Sequence, residues 1–112
     1  MTCIFCRIAR GEVPSQVVYQ DEEIFAFRDV NPQAPTHVLI IPRKHIAGLQ
    51  ELSPDDSALV ARLILAAPRI AEAEDIAARG YRLVANMGPD AGQVVQHLHF
   101  HLLGGRPLRA LC

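Results

Sequence analysis

The run His97–Leu98–His99–Phe100–His101–Leu102–Leu103 constrains this chain more than any other segment. Titratable and apolar residues alternate in it, and successive side chains of an extended strand point to opposite faces. As a strand from His97 to Leu103, the segment sets His97, His99 and His101 on one face and turns Leu98, Phe100 and Leu102 toward a core. Three of the chain's five histidines then share one face. Packing does not ask for such a row, because neighbouring imidazoles repel when charged. Chemistry near neutral pH does, since histidine supplies nucleophile, acid and base.

The other segments fit around a sheet. Val17–Tyr19 and Ile24–Arg28 are short apolar runs separated by Asp21–Glu22–Glu23 and predict a hairpin. Asn31–Pro32–Gln33–Ala34–Pro35 predicts a stiff turn, because each proline fixes its own φ and restrains the residue before it. His37–Ile41, ended by Pro42, and Tyr81–Asn86 complete about five strands with the histidine run. A short helix is expected over Ile4–Arg10, before Gly11. A long one is expected to start at Ser53, an N-cap residue followed by Pro54 and by Asp55 and Asp56 at the positive end of the dipole. Leu59, Leu63, Ala67 and Ile70 form its apolar stripe, Gly80 its stop, and Pro68 should kink it. Strands with isolated helices, rather than regular βαβ units, predict a single α+β domain over residues 1–112 with a largely antiparallel sheet.

Charge narrows the partners. Eleven Lys and Arg against twelve Asp and Glu leave a formal net charge of −1, so a nucleic acid polymer is a poor fit. A small phosphorylated molecule needs only a local pocket. No apolar stretch is long enough to cross a bilayer, and Met1–Phe5 starts no targeting signal, which leads to the expectation of a cytoplasmic protein without membrane contact. In that setting Cys3 and Cys6, a Cys-x2-Cys pair, suggest a metal site or free thiols before a disulfide; Cys112 is expected to be exposed.

Ahead of the histidine run lies Asn86–Met87–Gly88–Pro89–Asp90–Ala91–Gly92–Gln93, whose glycines allow a backbone to approach a ligand and cradle a phosphate. From Gly92 to Leu103 the sequence resembles the signature of the histidine triad family, His-φ-His-φ-His-φ-φ with φ apolar. Phe27–His37, Ile40–Ile46 and Asn86–Gly88 are similar to further family segments, in the family's order, and Gly104–Gly105–Arg106 is similar to the branch that cleaves nucleoside phosphoramidates. The resemblance implies a histidine-triad-like fold and a purine nucleotide as ligand. It implies that His99 attacks the α-phosphorus to form a nucleotidyl-histidine intermediate, with His101, His37 and His97 as the accompanying catalytic histidines, and no metal needed for catalysis. It further implies that Asn86, Gly92 and the Gln93–Val94–Val95 backbone hold phosphate oxygens or the leaving group, that Asp29 binds the ribose hydroxyls, and that Phe5, Ile8, Val13, Phe27 and Val30 enclose the base. One departure stands out: where the family has Ser or Thr after the Gly-Gln pair, this chain has Val94, and the loss of one hydroxyl donor can lower a rate on the order of a hundredfold.

Two further expectations follow from the resemblance. Cys3, Cys6, His45 and His97 match the positions of a structural zinc site in some members, two thiolates and two imidazoles as a tetrahedral ion requires. Members are generally homodimers, and the stripe Leu59, Val60, Leu63, Ile64 and Ala67 is wide for a helix covering one side of a small sheet. Other readings stay open on the residues alone: a zinc hydrolase using His97 and His99 with His37 or His101, a dinucleoside polyphosphate hydrolase, or a nucleotide-binding module with little turnover.

Overall fold

The structure, a computed structural model, describes residues 3–110; Cys112 lies outside the described residues. Helix α1 (Ile4–Ala9) is followed by strands β1 (Val17–Gln20), β2 (Ile24–Arg28) and β3 (Thr36–Pro42), helix α2 (Ser57–Ala73), and strands β4 (Tyr81–Ala85) and β5 (Phe100–Gly104). The five strands form one sheet in the order β1-β2-β3-β5-β4, every neighbouring pair antiparallel. The expected α+β class, with one long and one short helix on a five-stranded sheet, is the class observed.

Period-two alternation divides the molecule into two layers around β3, which is buried along its whole length. Val38 and Ile40 join Ile24, Ala26, Phe100 and Leu102 beneath Leu63, Ala67 and Ile70 of α2. Leu39 and Ile41 face the other way and pack with Phe5, Ile8, Phe25 and Phe27. The short α1 thus covers one face of the sheet and α2 the other. Residues 97–103 contribute to both layers, which is why their apolar and histidine residues alternate.

Three expectations are corrected. The histidine strand begins at Phe100, not His97. The antiparallel register that pairs Ile40 with Phe100 would go on to pair Ile41 with His99 and then Pro42 with Leu98, where a proline has no N–H to extend the ladder; the Leu98 N–H instead donates to the Ile46 carbonyl at 2.6 Å. Helix α2 starts at Ser57, after a 3-10 turn over Pro54–Asp56, with the Asp56 carboxylate accepting the Ser53 N–H at 3.0 Å. It runs on through Pro68, which is exposed, so the carbonyl left without a partner faces water. It ends at Ala73 rather than at Gly80, because Asp75 takes the left-handed conformation (φ 62°). Ile76 then donates to the Ala71 carbonyl and returns to the core, the bond pattern of a Schellman cap.

Candidate functional site

His99 and His101 border a pocket of about 550 Å³. Phe5 and Ile8 from α1, Val13, Phe27 from β2 and Val30 supply its apolar wall, while Asp29, Asn86, Gly92, Val94 and Val95 line it beside the imidazoles. All are residues expected from the sequence to meet a nucleotide. Ile4, Pro14, Asn31 and Leu39 also line it and were not singled out by the sequence. Leu39 could have been, since it shares a face of β3 with His37.

Hydrogen bonds to fixed backbone groups decide which ring nitrogens carry protons. His99 Nδ1 lies 2.7 Å from the His97 carbonyl oxygen. That oxygen only accepts, so Nδ1 holds the proton of the neutral ring and Nε2 keeps its lone pair. Phe5 packs edge-on against the same ring at 5.2 Å between centroids. His37 is buried behind His101 and does not border the pocket. The Gln33 N–H donates to His37 Nδ1 at 3.0 Å, which leaves the His37 proton on Nε2. From there it is donated to His101 Nδ1 at 2.9 Å, with the Asp29 carboxylate 3.4 Å away. The remaining proton of His101 must therefore sit on Nε2, as a donor. The nucleophilic and the donating imidazole thus stand side by side, ring centroids 5.0 Å apart.

The electrostatics keep His101 and His37 neutral. Burial lowers the His101 pKa to about 4, with His99 and His37 adding to the effect and Asp29 opposing it. Burial also pushes His37 below its ordinary value, against the pull of Asp29.

His97 does not join them. Its ring is fully buried, and Nε2–H donates to the Pro42 carbonyl at 2.8 Å, which frees Nδ1 to face Cys3, Cys6 and His45. Alternation predicts three histidines on one face, and His97 does lie beside Phe5 as His99 does, with ring centroids 6.0 and 5.2 Å away; it stays out of the pocket because its ring nitrogens are taken up by Pro42 and by the thiols and His45. Among the described residues His97 and His99 do not fall into one cluster of ligand atoms, which removes the zinc hydrolase built on that pair.

The second cluster has the shape of a metal site. Cys3 Sγ and Cys6 Sγ lie 3.3 and 3.5 Å from His97 Nδ1, Cys6 Sγ lies 3.3 Å from His45 Nδ1, and the two imidazole nitrogens are 3.2 Å apart. Zinc bonds of about 2.3 Å to sulfur and about 2.0–2.1 Å to nitrogen in a tetrahedron set S···N edges near roughly 3.5 Å and an N···N edge near roughly 3.3 Å. The donor set and its spacing fit that ion, and the His97–Pro42 bond is the outer contact that orients a ligating imidazole.

Gln93 is also corrected. Its side chain is buried away from the pocket, where it accepts the Gly88 N–H at 2.9 Å and donates to the carbonyls of Ala47 (2.9 Å) and Val95 (3.2 Å). Its own N–H is bonded to the Gly88 carbonyl. Gln93 holds the loop in shape and offers the ligand no backbone donor. Among the described residues the N–H groups of Val94 and Val95 have no such partner. Val94 is 87% exposed at the pocket.

The site is thus an apolar slot closed on one side by a lone-pair-bearing imidazole and a donating one. The HIT domain profile matches residues 10–108 of the chain. The purine nucleoside phosphoramidase of Escherichia coli (strain K12) is 51% identical over 105 residues, 94% of this chain and 88% of that protein. A HIT family hydrolase from Legionella pneumophila superposes with a TM-score of 0.95 at 52% identity, covering 96% of each chain. A histidine triad protein from Clostridium difficile does so with a TM-score of 0.96 at 40% identity, over 99% of this chain and 96% of that one. The chain belongs to the HIT family.

Proposed function

We propose that the protein is a nucleotide hydrolase of the histidine triad type that cleaves purine nucleoside 5′-phosphoramidates through a nucleotidyl-His99 intermediate. The observation that carries this reading is the His99 Nδ1–H bond to the His97 carbonyl at 2.7 Å, which aims a neutral imidazole's lone pair without any further base. Similarity to a purine nucleoside phosphoramidase over nearly the whole chain supports the substrate class. The purine lies between Phe5, Ile8, Phe27 and Val30, and the ribose hydroxyls bond to Asp29.

His99 Nε2 attacks the α-phosphorus, a P–Nε2 bond forms and the P–N bond to the leaving amine breaks, the amine taking a proton from water. A second water then attacks phosphorus and gives its proton to the hydroxide left by the first, the P–Nε2 bond breaks with its electron pair returning to Nε2, and the nucleoside monophosphate leaves with His99 neutral again. One hard displacement becomes two easier ones. The His101 Nε2–H and the unpaired N–H groups of Val94 and Val95 hold the phosphoryl oxygens, whose charge they stabilise more as it develops. Incubation with adenosine phosphoramidate and with a diadenosine polyphosphate, following AMP release, tests the reading. Release from the first and little from the second is expected; release from the second alone makes the protein a dinucleoside polyphosphate hydrolase, and release from neither leaves a nucleotide-binding module, the reading that Val94 favours.

Three accompanying features belong to the same proposal. Cys3, Cys6, His45 and His97 hold a structural zinc that ties α1 to the segment before β5. Two free thiols gathered with two imidazoles suit the reducing cytoplasm; no helix among the described residues is long and apolar enough to cross a membrane. Two copies form a dimer through the edge strand β4 and the outer face of α2, where Ile64 and Leu65 are 46% and 65% exposed.

A further inference from the structure

The tautomer of His37 depends on a single backbone N–H, that of Gln33, in the 29–35 loop. That loop has its own internal bonds: Asn31 N–H donates to Asp29 Oδ1, and the Gln33 side chain donates to the Asn31 carbonyl. Neither bond holds the Gln33 carbonyl, on the other side of the peptide unit from the His37 contact. The contact that does comes from the segment after β5. Arg106 Nη2 donates to the Gln33 carbonyl at 2.6 Å, and Nη1 donates to the Pro107 carbonyl at 3.0 Å. The planar fork is thereby held at both ends, a geometry an ammonium cannot reproduce.

The sequence prepares this contact one residue earlier. Gly105 has a φ of +98°, and a Cβ on it would lie 2.9 Å from Pro35 Cβ. Only a residue without a side chain lets the outgoing chain pass this close to the loop and deliver Arg106 over Gln33. Gly104–Gly105–Arg106 otherwise has no task in the pocket, which Arg106 does not border.

We propose that Arg106 is a positioning residue for the histidine relay: by clamping the Gln33 carbonyl it fixes the loop whose N–H sets the tautomer of His37, and through His37 the donor that His101 presents to phosphate. Without the clamp, Gln33 moves and His37 Nδ1 loses its donor. His37 then populates the Nδ1–H form, whose Nε2 lone pair faces His101 Nδ1. The two lone pairs repel, so His101 shifts its proton to Nδ1 and turns a bare Nε2 toward the phosphoryl oxygens. Substrate still binds through its base and ribose, but the charge developing on phosphorus loses a donor. The effect falls on kcat rather than KM.

The proposal rests on the hydrolase reading for its kinetic arm only. The test compares wild-type protein, purified with its metal retained, with Arg106→Met, Arg106→Lys and Arg79→Met. Arg79 borders the same surface depression as Arg106 and controls for the loss of a charge there. Ring 15N spectra of His37 and His101 report the tautomers directly, and adenosine phosphoramidate turnover reports the rate. Wild type should show His37 and His101 as Nε2–H forms. Arg106→Met should give mixed tautomers at both rings and a kcat lower by about tenfold, with KM changed less than about twofold. Arg106→Lys, which keeps one bond to Gln33, should fall between the two, and Arg79→Met should match wild type. Unchanged ring spectra in Arg106→Met and Arg106→Lys overturn the proposal, as does a loss shared equally by Arg79→Met. If wild type releases no AMP the hydrolase reading fails, while the ring spectra still decide the role of Arg106. If Arg106→Met does not fold, Arg106→Lys carries both measurements.

Discussion

His97 and His101 stand four residues apart on the same short segment, yet they belong to different parts of the molecule. His101 is in the sheet, joined to His37, and presents its remaining proton to a pocket. His97 lies just before the strand, fully buried, with its Nε2–H spent on Pro42 and its Nδ1 turned to two thiols and a third imidazole. What separates the two rings is the backbone. The ladder stops where Pro42 can no longer donate, and the chain is instead anchored by Leu98 to Ile46. Under the proposed function identical side chains acquire opposite tasks, one holding the structure together and one meeting the substrate. The two are coupled through one atom, since the His97 carbonyl sets the tautomer of His99.

The sharpest way to break this division is to remove one member from each side. His99→Ala should lower turnover by at least about a thousandfold, because no other group in the pocket can form the covalent intermediate, while its melting temperature and nucleotide affinity stay close to those of wild type. His97→Ala should do the reverse at first, lowering yield and melting temperature before activity per folded molecule. If the two variants cannot be told apart by melting temperature, the separation into a structural and a chemical histidine is wrong.

Metal removal acts on the structural side alone. Protein purified without chelator should contain about one zinc per chain, and stripping it or making Cys6→Ala should cost several kcal/mol of stability by releasing α1. Metal analysis below a tenth of an equivalent, with Cys3 and Cys6 freely titratable, contradicts the zinc assignment and leaves the pocket untouched.

Val94→Ser sharpens the chemical side. It places a hydroxyl donor at the pocket, where phosphoramidates with poor leaving amines should be cleaved faster by about tenfold. A rate that does not change shows that the leaving group does not pass Val94.

The smallest effect is on acid stability. His101 is held neutral, with a pKa of about 4 in the fold against about 6.5 in an unfolded chain. Between those values the unfolded chain binds the extra proton, so the fold is most stable above pH 6.5 and loses stability as the pH falls toward 4. His37 acts in the same direction. His101→Gln, which cannot titrate, should lose less melting temperature than wild type between pH 7 and pH 5; an equal or greater loss contradicts the neutral ring.

Much of this was legible in the sequence because it rests on period and residue type. Alternation placed His99 and His101 opposite Phe100 and Leu102, and the apolar stripe of α2 falls on Leu59, Leu63, Ala67 and Ile70, all buried. The resemblance to the histidine triad family named most of the residues that line the pocket, though not Ile4, Pro14, Asn31 or Leu39. What escaped depends on where the backbone lies in three dimensions. The end of α2 is set by Asp75 in a left-handed conformation, a place where glycine is the usual signal. The exclusion of His97 from the pocket depends on a carbonyl, that of Pro42, 55 positions earlier in the chain. Gln93 points into the loop because carbonyls of Ala47 and Val95 await it, and Arg106 reaches Gln33 only because Gly105 passes against Pro35. None of these leaves a local pattern in the sequence.

Everything proposed for the pocket turns on a covalent bond between His99 and phosphorus. Quenching the enzyme with adenosine phosphoramidate within a single turnover, under conditions that preserve phosphorus–nitrogen bonds, and mapping the adduct by peptide mass analysis looks for that bond itself. One added nucleotidyl group is expected on His99, formed and lost at rates that match AMP release, and absent in His99→Ala. An active enzyme that never carries the adduct, or carries it on His97 or His101, contradicts it.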